Sequence, residues 1–372
     1  MTSIRPADAR ISIIGAGPGG LTCARILQRH GIPAVVYDRD PGPDVRNQGG
    51  SLDLHADDGQ VALREAGLLE DFRRLCRPEG QEMRELDIAG TIRRHTVPDA
   101  DDFFKPEIDR GVLRDLLLDS LEPGTVHWGR ALDSTDGRVL HFADGTTLET
   151  DLVIGADGAF SRVRPAVSSA RPHYVGVSFL EAWFNDVDSD HAAVSQLVGR
   201  GSARAGDGDR GVFAQRNGGD HIRVYIIQKA PIDWIARAGL STEDTDGIRA
   251  RLRNEFGHWS PQMQQLVADN DGPYVDRPIL ALPVSHSWPH NPTVTLLGDA
   301  AHLMPPLGVG VNLAMLDASD LALALAGSAT VDEAVRGYEA TMLPRSHDIA
   351  KMLDGRAADL VSAFDGEDDD RP

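Results

Sequence analysis

Cysteine is nearly missing: Cys23 and Cys76 are the only two in a chain of 372 residues. Two cysteines exclude a disulfide framework and a zinc cage, and they point to a reducing compartment. Long apolar runs are missing as well. No stretch approaches the roughly 18 to 20 uninterrupted apolar residues of a membrane helix. The opening MTSIRPADAR lacks the apolar stretch of a secretory signal. Positive charge is in deficit, since 37 Lys+Arg face 57 Asp+Glu and leave −20, so the average surface repels nucleic acid. No fixed-period repeat, low-complexity linker or G-x-S-x-G elbow occurs. What is present is an ordinary globular balance, 41% hydrophobic and 25% charged, long enough for one large domain or two ordinary ones. The expectation is a cytoplasmic protein, monomer or homodimer, that binds neither nucleic acid nor membrane.

The first 40 residues read as β-α-β. Ile11–Ile14 is a short apolar strand, Leu21, Ala24 and Leu27 recur at helical spacing, Gly31 stops the helix, and Ala34–Tyr37 is a second strand. Helices follow over 59–75 and from Asp109, an N-cap candidate, through Leu117. Hairpin strands with an Asp144-Gly145 turn lead into the buried strand Leu152-Val153-Ile154. From 172 to 285 extended runs and glycine-rich turns predict an antiparallel sheet. A buried strand returns at Val294–Leu297, with helices over 312–325 and 331–364. The fold class is α/β: a Rossmann-like nucleotide-binding domain (1–171 and 286–330) carrying an inserted antiparallel-sheet domain (172–285). A long C-terminal bridging helix (331–364) and an acidic tail (365–372) complete it.

Gly15-Ala16-Gly17-Pro18-Gly19-Gly20 is a G-x-G-x-x-G directly after a strand and opening a helix. Gly15 permits the tight turn, Gly17 lets the backbone approach a pyrophosphate, and Gly20 lets helix and strand close up. Asp38 ends the second strand, where an acid can bond a ribose hydroxyl. A second match, Gly206-Asp207-Gly208-Asp209-Arg210-Gly211, has no strand–helix context and two carboxylates that repel phosphate. It reads as a hairpin turn.

Two further turns follow strands. One is the Asp157-Gly158 turn after Leu152–Gly155. The other is Gly298-Asp299, with Pro305-Pro306 and then Gly308, Gly310, Val311 and Asn312 ahead of a helix. Asp299 can bond a ribityl or ribose hydroxyl, and backbone N–H groups at a helix N-terminus stabilise a developing negative charge.

These three turns in this order resemble the class A flavoprotein monooxygenases of the para-hydroxybenzoate hydroxylase type, and among them the tetracycline-inactivating flavin monooxygenases. The matching stretches are Val36–Asp40, Gly49–His55, Glu107–Arg110 with Leu113-Arg114, and Gly298–Pro306. The resemblance runs from about Ile11 to the last helix. It implies FAD and NADPH as cofactors. It implies Asp38 and Arg39 at the adenosine end, Asp53 and Arg110 on the flavin and pyrophosphate side, Asp299 on the ribityl chain, and Arg46 at the NADPH position. It also implies a sheet domain roofing the flavin. By the strand pattern, Gln196, Gln215, Arg223 and Tyr225 fall at substrate positions, although Arg223 stands for a histidine there and Tyr225 for a glycine. An arginine favours an anionic or phenolate-like substrate; the alternative for Arg223 is a surface-strand cation. The loop from Pro305 to Asn312 is one residue shorter than in those enzymes, with Val309 in place of glutamine.

The implied activity is FAD-dependent hydroxylation of an aromatic or polyketide-like small molecule, tetracycline among the candidates, by NAD(P)H and O2 through a flavin C4a-hydroperoxide. No acid–base residue is assigned. A flavin oxidase or reductase on the same scaffold, and a flavoprotein that sequesters a ligand without turnover, remain open. His286 and His290 flank Pro289, so no metal site is expected. His302 reads as a structural histidine.

Overall fold

A computed structural model describes residues 4–43, 45, 49–284 and 286–361. The chain divides into two compact units, the first made of Met1–Cys76, Arg110–His173 and Leu280–Asp354. The second is made of Arg77–Asp109, Tyr174–Ile279 and the residues from Gly355 onward.

The first unit is built on a five-stranded sheet in the order Val294–Leu296, Leu152–Gly155, Ile11–Ile14, Ala34–Tyr37, Val126–His127. All its pairings are parallel, with Ile11 beside Ala34 on one side and Leu152 on the other. Every residue of Ile11–Ile14 and of Leu152–Gly155 is buried. That explains runs without alternation, because a parallel sheet is covered on both faces. The helix Pro18–Arg29 packs so closely on its neighbours that a Cβ on Gly19 would stand 2.7 Å from Leu297 Cδ1 and 3.0 Å from the Ala314 carbonyl. The hairpin region forms a separate three-stranded antiparallel sheet, Leu132–Thr135, Val139–Phe142 and Thr147–Glu149.

Two expected helices are shorter than their apolar periodicity suggests. The 59–75 helix is two, Gly59–Ala66 and Leu69–Leu75, broken where Gly67 turns left-handed at φ +73°. The helix expected over 331–364 runs only Val331–Leu353. Gly355 follows at φ +75°, and a short 3-10 turn, Arg356–Val361, continues in the second unit. The acidic tail lies outside the described residues. Among the described helices, Gly310–Gly327 alone has the length and hydropathy to cross a membrane, and half of it is buried in the fold.

The second unit holds a seven-stranded sheet ordered Val275–Ala281, His173–Phe184, His221–Lys229, Arg210–Asn217, Ser202–Gly206, Met83–Leu86, Ile92–Thr96. Its last two strands come from 77–109, well before the expected start at 172. Met83–Leu86 pairs parallel to Ser202–Gly206, so a segment remote in sequence extends the antiparallel sheet. One face, carrying Ile222, Val224 and Ile226, is buried in a core with Ile248 and Leu252 of the helix Thr245–Glu255 and Met263 and Leu266 of Pro261–Ala268. Arg223 and Tyr225 alternate onto the other face. The second G-x-G-x-x-G match is the predicted hairpin turn. Asp207 Oδ1 there accepts the N–H groups of Asp209 (3.1 Å) and Arg210 (2.9 Å).

Candidate functional site

Three glycine-bearing turns meet at the carboxyl edge of the parallel sheet, the place where open α/β sheets bind ligands. Gly15 leaves its strand at φ +109°, and a Cβ there would sit 2.4 Å from the Ala156 carbonyl. A Cβ on Gly20 would sit 2.0 Å from the Gly15 carbonyl. On Gly17, by contrast, a Cβ would meet no atom within 4 Å. Two of the glycines are thus needed for packing, and the third opens onto free space at the start of the helix Pro18–Arg29. The N–H groups and dipole of that helix end favour an anion.

Asp38 is buried at the end of the second strand, and both of its oxygens are in use. Oδ2 accepts the Ala16 N–H at 2.6 Å and Oδ1 the Asp40 N–H at 2.8 Å. The acid therefore holds the glycine loop in shape, and its remaining lone pairs are what it can offer to a hydroxyl. Arg39 beside it is exposed.

The Asp-Gly and Gly-Asp turns are locked together by Arg164, which is 2% exposed. Its guanidinium donates to the carbonyls of Ala300 (2.8 Å), Ala159 (2.9 Å) and Asp299 (3.0 Å). Asp157 accepts the N–H groups of Arg162 and Val163, and burial pushes its carboxyl above the usual range. Asp299 itself is exposed at the sheet edge. Behind it, His302 Nε2 lies 2.5 Å from Asp317 Oδ2, which also accepts the Gly298 N–H at 3.0 Å. Arg345 completes the pairing on Asp317 Oδ1 at 2.8 Å. Burial opposes charge on the imidazole, yet the Asp317 carboxylate holds His302 above its ordinary value. His302 is thus a buttress of the Gly298-Asp299 turn.

The shortened loop ends in another fixed point. The Asn312 side chain is fully buried at the start of the helix Gly310–Gly327. Its oxygen accepts the N–H groups of His55 (2.8 Å) and Gly59 (3.2 Å), and its Nδ2 donates to the Asp53 carbonyl at 2.8 Å. This brings Asp53, Gly308 and the helix start to one place. Gly308 turns at φ +86°, and a Cβ there would stand 3.8 Å from Asp53 Oδ2. Pro306 and Gly310 are exposed and Val311 half-buried. Arg110 is exposed too, and its side chain passes 3.2 Å from where a Gly49 Cβ would be. Arg46 lies outside the described residues. The expected N-cap, Asp109, is used differently: it pairs with Arg77 at 2.7 Å and accepts the Gly218 N–H.

In the second unit Gln215, Arg223 and Tyr225 share one sheet face, with Gln215 directly opposite Arg223 in register. Gln196 is not among them. It is exposed on the short helix Ala192–Val198, because Gly199 and Gly201 delay the strand to Ser202. Arg223 is 5% exposed, not a surface cation, and its Nη1 lies 3.3 Å from Glu181 Oε2. Glu181 Oε2 also lies 3.4 Å from Arg277 Nε, so one carboxylate is shared by two guanidiniums. Gln215 Nε2 donates to Glu107 Oε1 at 3.1 Å. The Tyr225 ring stands between Phe179 (5.9 Å) and Phe213 (6.3 Å), an aromatic row across three strands.

Sequence reasoning did not single out Arg164, Asp317 or Glu181. A cation directly after the Asp-Gly turn was the one visible signal for Arg164. His286 Nδ1 donates to the Ala301 carbonyl and its Nε2 lies 3.0 Å from Ser168 Oγ, and His290 pairs with Glu339 and Asp332. No cluster suited to a metal ion occurs among the described residues.

The geometry agrees with the comparisons to known proteins. A family model described as an FAD binding domain matches residues 8–352. The monooxygenase PenA of Penicillium thymicola is 31% identical, with 94% of this chain and 94% of that one covered. The 3-amino-4-hydroxybenzoate 2-monooxygenase of Streptomyces cremeus is 30% identical, over 96% of this chain and 88% of that one. In fold the chain is similar to the tetracycline destructase Tet(55), with a TM-score of 0.72, 19% identity, and coverage of 97% and 91%.

Proposed function

Since this chain belongs to the FAD-binding-domain family of class A flavoprotein monooxygenases, we propose that it hydroxylates a planar aromatic or polyketide-like molecule with NAD(P)H and O2. The observation that carries the reading is the three-turn edge of the parallel sheet, tightly packed at Gly15 and Gly20 and open at Gly17 and Gly158. FAD, when bound, supplies the electron transfer to oxygen and the delivery of one oxygen atom to the substrate. The residues fit that group. The Gly17 backbone and the following helix end receive the pyrophosphate, Asp38 the adenosine ribose and Asp299 the ribityl chain. The backbone donors from Gly308 to Asn312 stabilise negative charge at the isoalloxazine ring. Arg110 neutralises charge on the pyrophosphate side, and Arg46 receives the nicotinamide nucleotide as a transient partner.

On the sheet face of the second unit, Gln215 and Arg223 orient the polar edge of the substrate and the Phe179–Tyr225–Phe213 row takes its flat face. Tyr225 occupies volume, so the reading favours aromatics smaller than tetracycline; the kinship of fold with Tet(55) keeps tetracycline among the compounds to test.

The test is turnover of the FAD-loaded protein under labelled O2 with NADPH or NADH, using tetracycline and a panel of aminophenols and hydroxypyridines. A product gaining one labelled oxygen, coupled to nicotinamide oxidation, is expected. Peroxide as the sole product for every compound would replace this reading by a flavin oxidase. Arg46→Ala should slow flavin reduction by NADPH while leaving FAD bound, and unchanged reduction kinetics would remove Arg46 from the site.

A further inference from the structure

We propose a second ligand site, for a small organic carboxylate, in a cavity on the helix-covered face of the second unit's sheet. The cavity encloses about 300 Å³ and is lined by Arg210, Gln228, Lys229, Trp234, Arg251 and Glu255 among others. Gln228 follows Ile222, Val224 and Ile226 in the strand His221–Lys229, so it shares their face. Arg223 and Tyr225 point to the opposite one. The cavity therefore opens from the helix-covered face, and Lys229, which alternates with Arg223 and Tyr225, reaches it at the end of the strand.

Two donors in it are incomplete. Gln228 is 5% exposed, and its Nε2 has no hydrogen-bond partner; neither has the buried Nε of Arg251. Buried donors in native proteins are almost always satisfied, by protein, water or a ligand. Here both incomplete donors line the same cavity and ask for acceptor oxygens, while Glu255 Oε2, buried beside them without a hydrogen bond, faces Arg210.

The surrounding charge selects the kind of acceptor. Arg251 Nη2 lies 2.8 Å from Glu255 Oε1, and Arg210 Nε lies 3.7 Å from Glu255 Oε2. One carboxylate is thus shared by two guanidiniums. Lys229 and Asp209, both exposed, also belong to the lining, so three cations face two carboxylates and leave a single positive charge. A monovalent anion matches that balance. The volume exceeds what a lone inorganic ion fills, and Ala230, Pro231 and Trp234 contribute apolar surface. The Arg251 guanidinium already lies 5.3 Å from the centre of the Trp234 ring. A carboxylate on a flat organic body satisfies the donors and covers the indole.

The experiment is calorimetric titration of the FAD-loaded protein with benzoate, and with benzamide as its uncharged counterpart. Benzoate is expected to bind at one site and benzamide not to bind. Gln228→Leu keeps the side-chain volume while removing the incomplete donor. It should weaken benzoate at least about tenfold, the loss of one charge-assisted contact, with an unchanged melting curve. Lys229→Gln, at an exposed position, should weaken it less and serves as the decisive variant should Gln228→Leu fail to fold. Absence of benzoate binding, equal binding of benzamide, or full affinity in both variants would overturn the proposal. Full affinity in both would also place the anion elsewhere, on the substrate face included.

Discussion

The Asn312 carboxamide and the His55 backbone, 257 positions apart in sequence, meet in a hydrogen bond of 2.8 Å. The same oxygen takes Gly59 N–H, so one buried side chain sets both the Asp53–His55 segment and the start of the helix Gly310–Gly327. Asn312→Leu leaves two backbone donors and the Asp53 carbonyl without their partner. The buried Gly59 N–H alone costs about 1–3 kcal/mol when left unsatisfied, and the part-buried His55 and Asp53 groups add less, a large share of domain stability. The expected outcome is a lower melting temperature and FAD in the filtrate after ultrafiltration. A variant that melts like the parent and stays yellow would show that the knot does not hold the loop.

The glycine loop offers a sharper contrast. Gly20→Ala drives a Cβ to 2.0 Å from the Gly15 carbonyl and should damage the fold itself, visible as a lower apoprotein melting temperature. Gly17→Val projects into open space and should leave the apoprotein melting temperature close to the parent's while abolishing FAD retention. If Gly17→Val retained stoichiometric FAD, the pyrophosphate would have to lie elsewhere.

The same contrast separates what is local in the sequence from what is not. Gly15, Gly17 and Gly20 are local: their spacing, the strand before them and the helix after them are all within 20 residues. The parallel strands were readable because burial on both faces removes alternation. Arg164 was not, since its acceptors Asp299 and Ala300 lie 135 and 136 positions away. His302 reads as structural from its place beside Asp299, but nothing local marks Asp317, on the next long helix, as its partner. Gln196 was misplaced because a polar–apolar pattern fits a short amphipathic helix as readily as a strand. For Arg223, a substrate position with a surface-strand cation as the alternative, burial against Glu181 is invisible locally because that partner belongs to a different strand.

Arg164 therefore deserves its own test. Arg164→Met keeps the length of the side chain and removes every donor to the Ala159, Asp299 and Ala300 carbonyls. A loss of about 3 kcal/mol is expected from those charge-assisted bonds, with FAD affinity falling alongside. Arg164→Lys, able to reach one acceptor, should recover part of both. Denaturant unfolding monitored with flavin fluorescence reads the two together, and equal unfolding midpoints for Met and Arg would refute the locking role.

His55 gives a pH signature. Hydrogen bonding to Asp53, then to Asp58, raises its imidazole to about 9, above the ordinary value near 6.5. A group with a raised folded-state pKa stabilises fully below its unfolded pKa and loses that contribution as pH climbs through the folded one. Wild-type stability should accordingly decline from pH 6.5 to about 9. His55→Gln should remove that component of the decline. Thermal melts across this interval check it, and parallel curves for the two proteins would mean that the imidazole is not held by the carboxylates.

The charge state of the substrate face makes the last prediction. Glu181 lies against both Arg223 (3.3 Å) and Arg277 (3.4 Å), so it offsets one of the two positive charges that attract an anionic ring. Wild type should then accept carboxylates alongside uncharged aminophenols. Glu181→Gln keeps the shape and one acceptor oxygen while releasing positive charge, which shifts preference toward carboxylates through KM more than kcat. Ratios of kcat/KM for an aminophenol and its carboxylated analogue measure the change. An unaltered ratio would mean that Arg223 does not face the substrate, and that the aromatic row alone selects it.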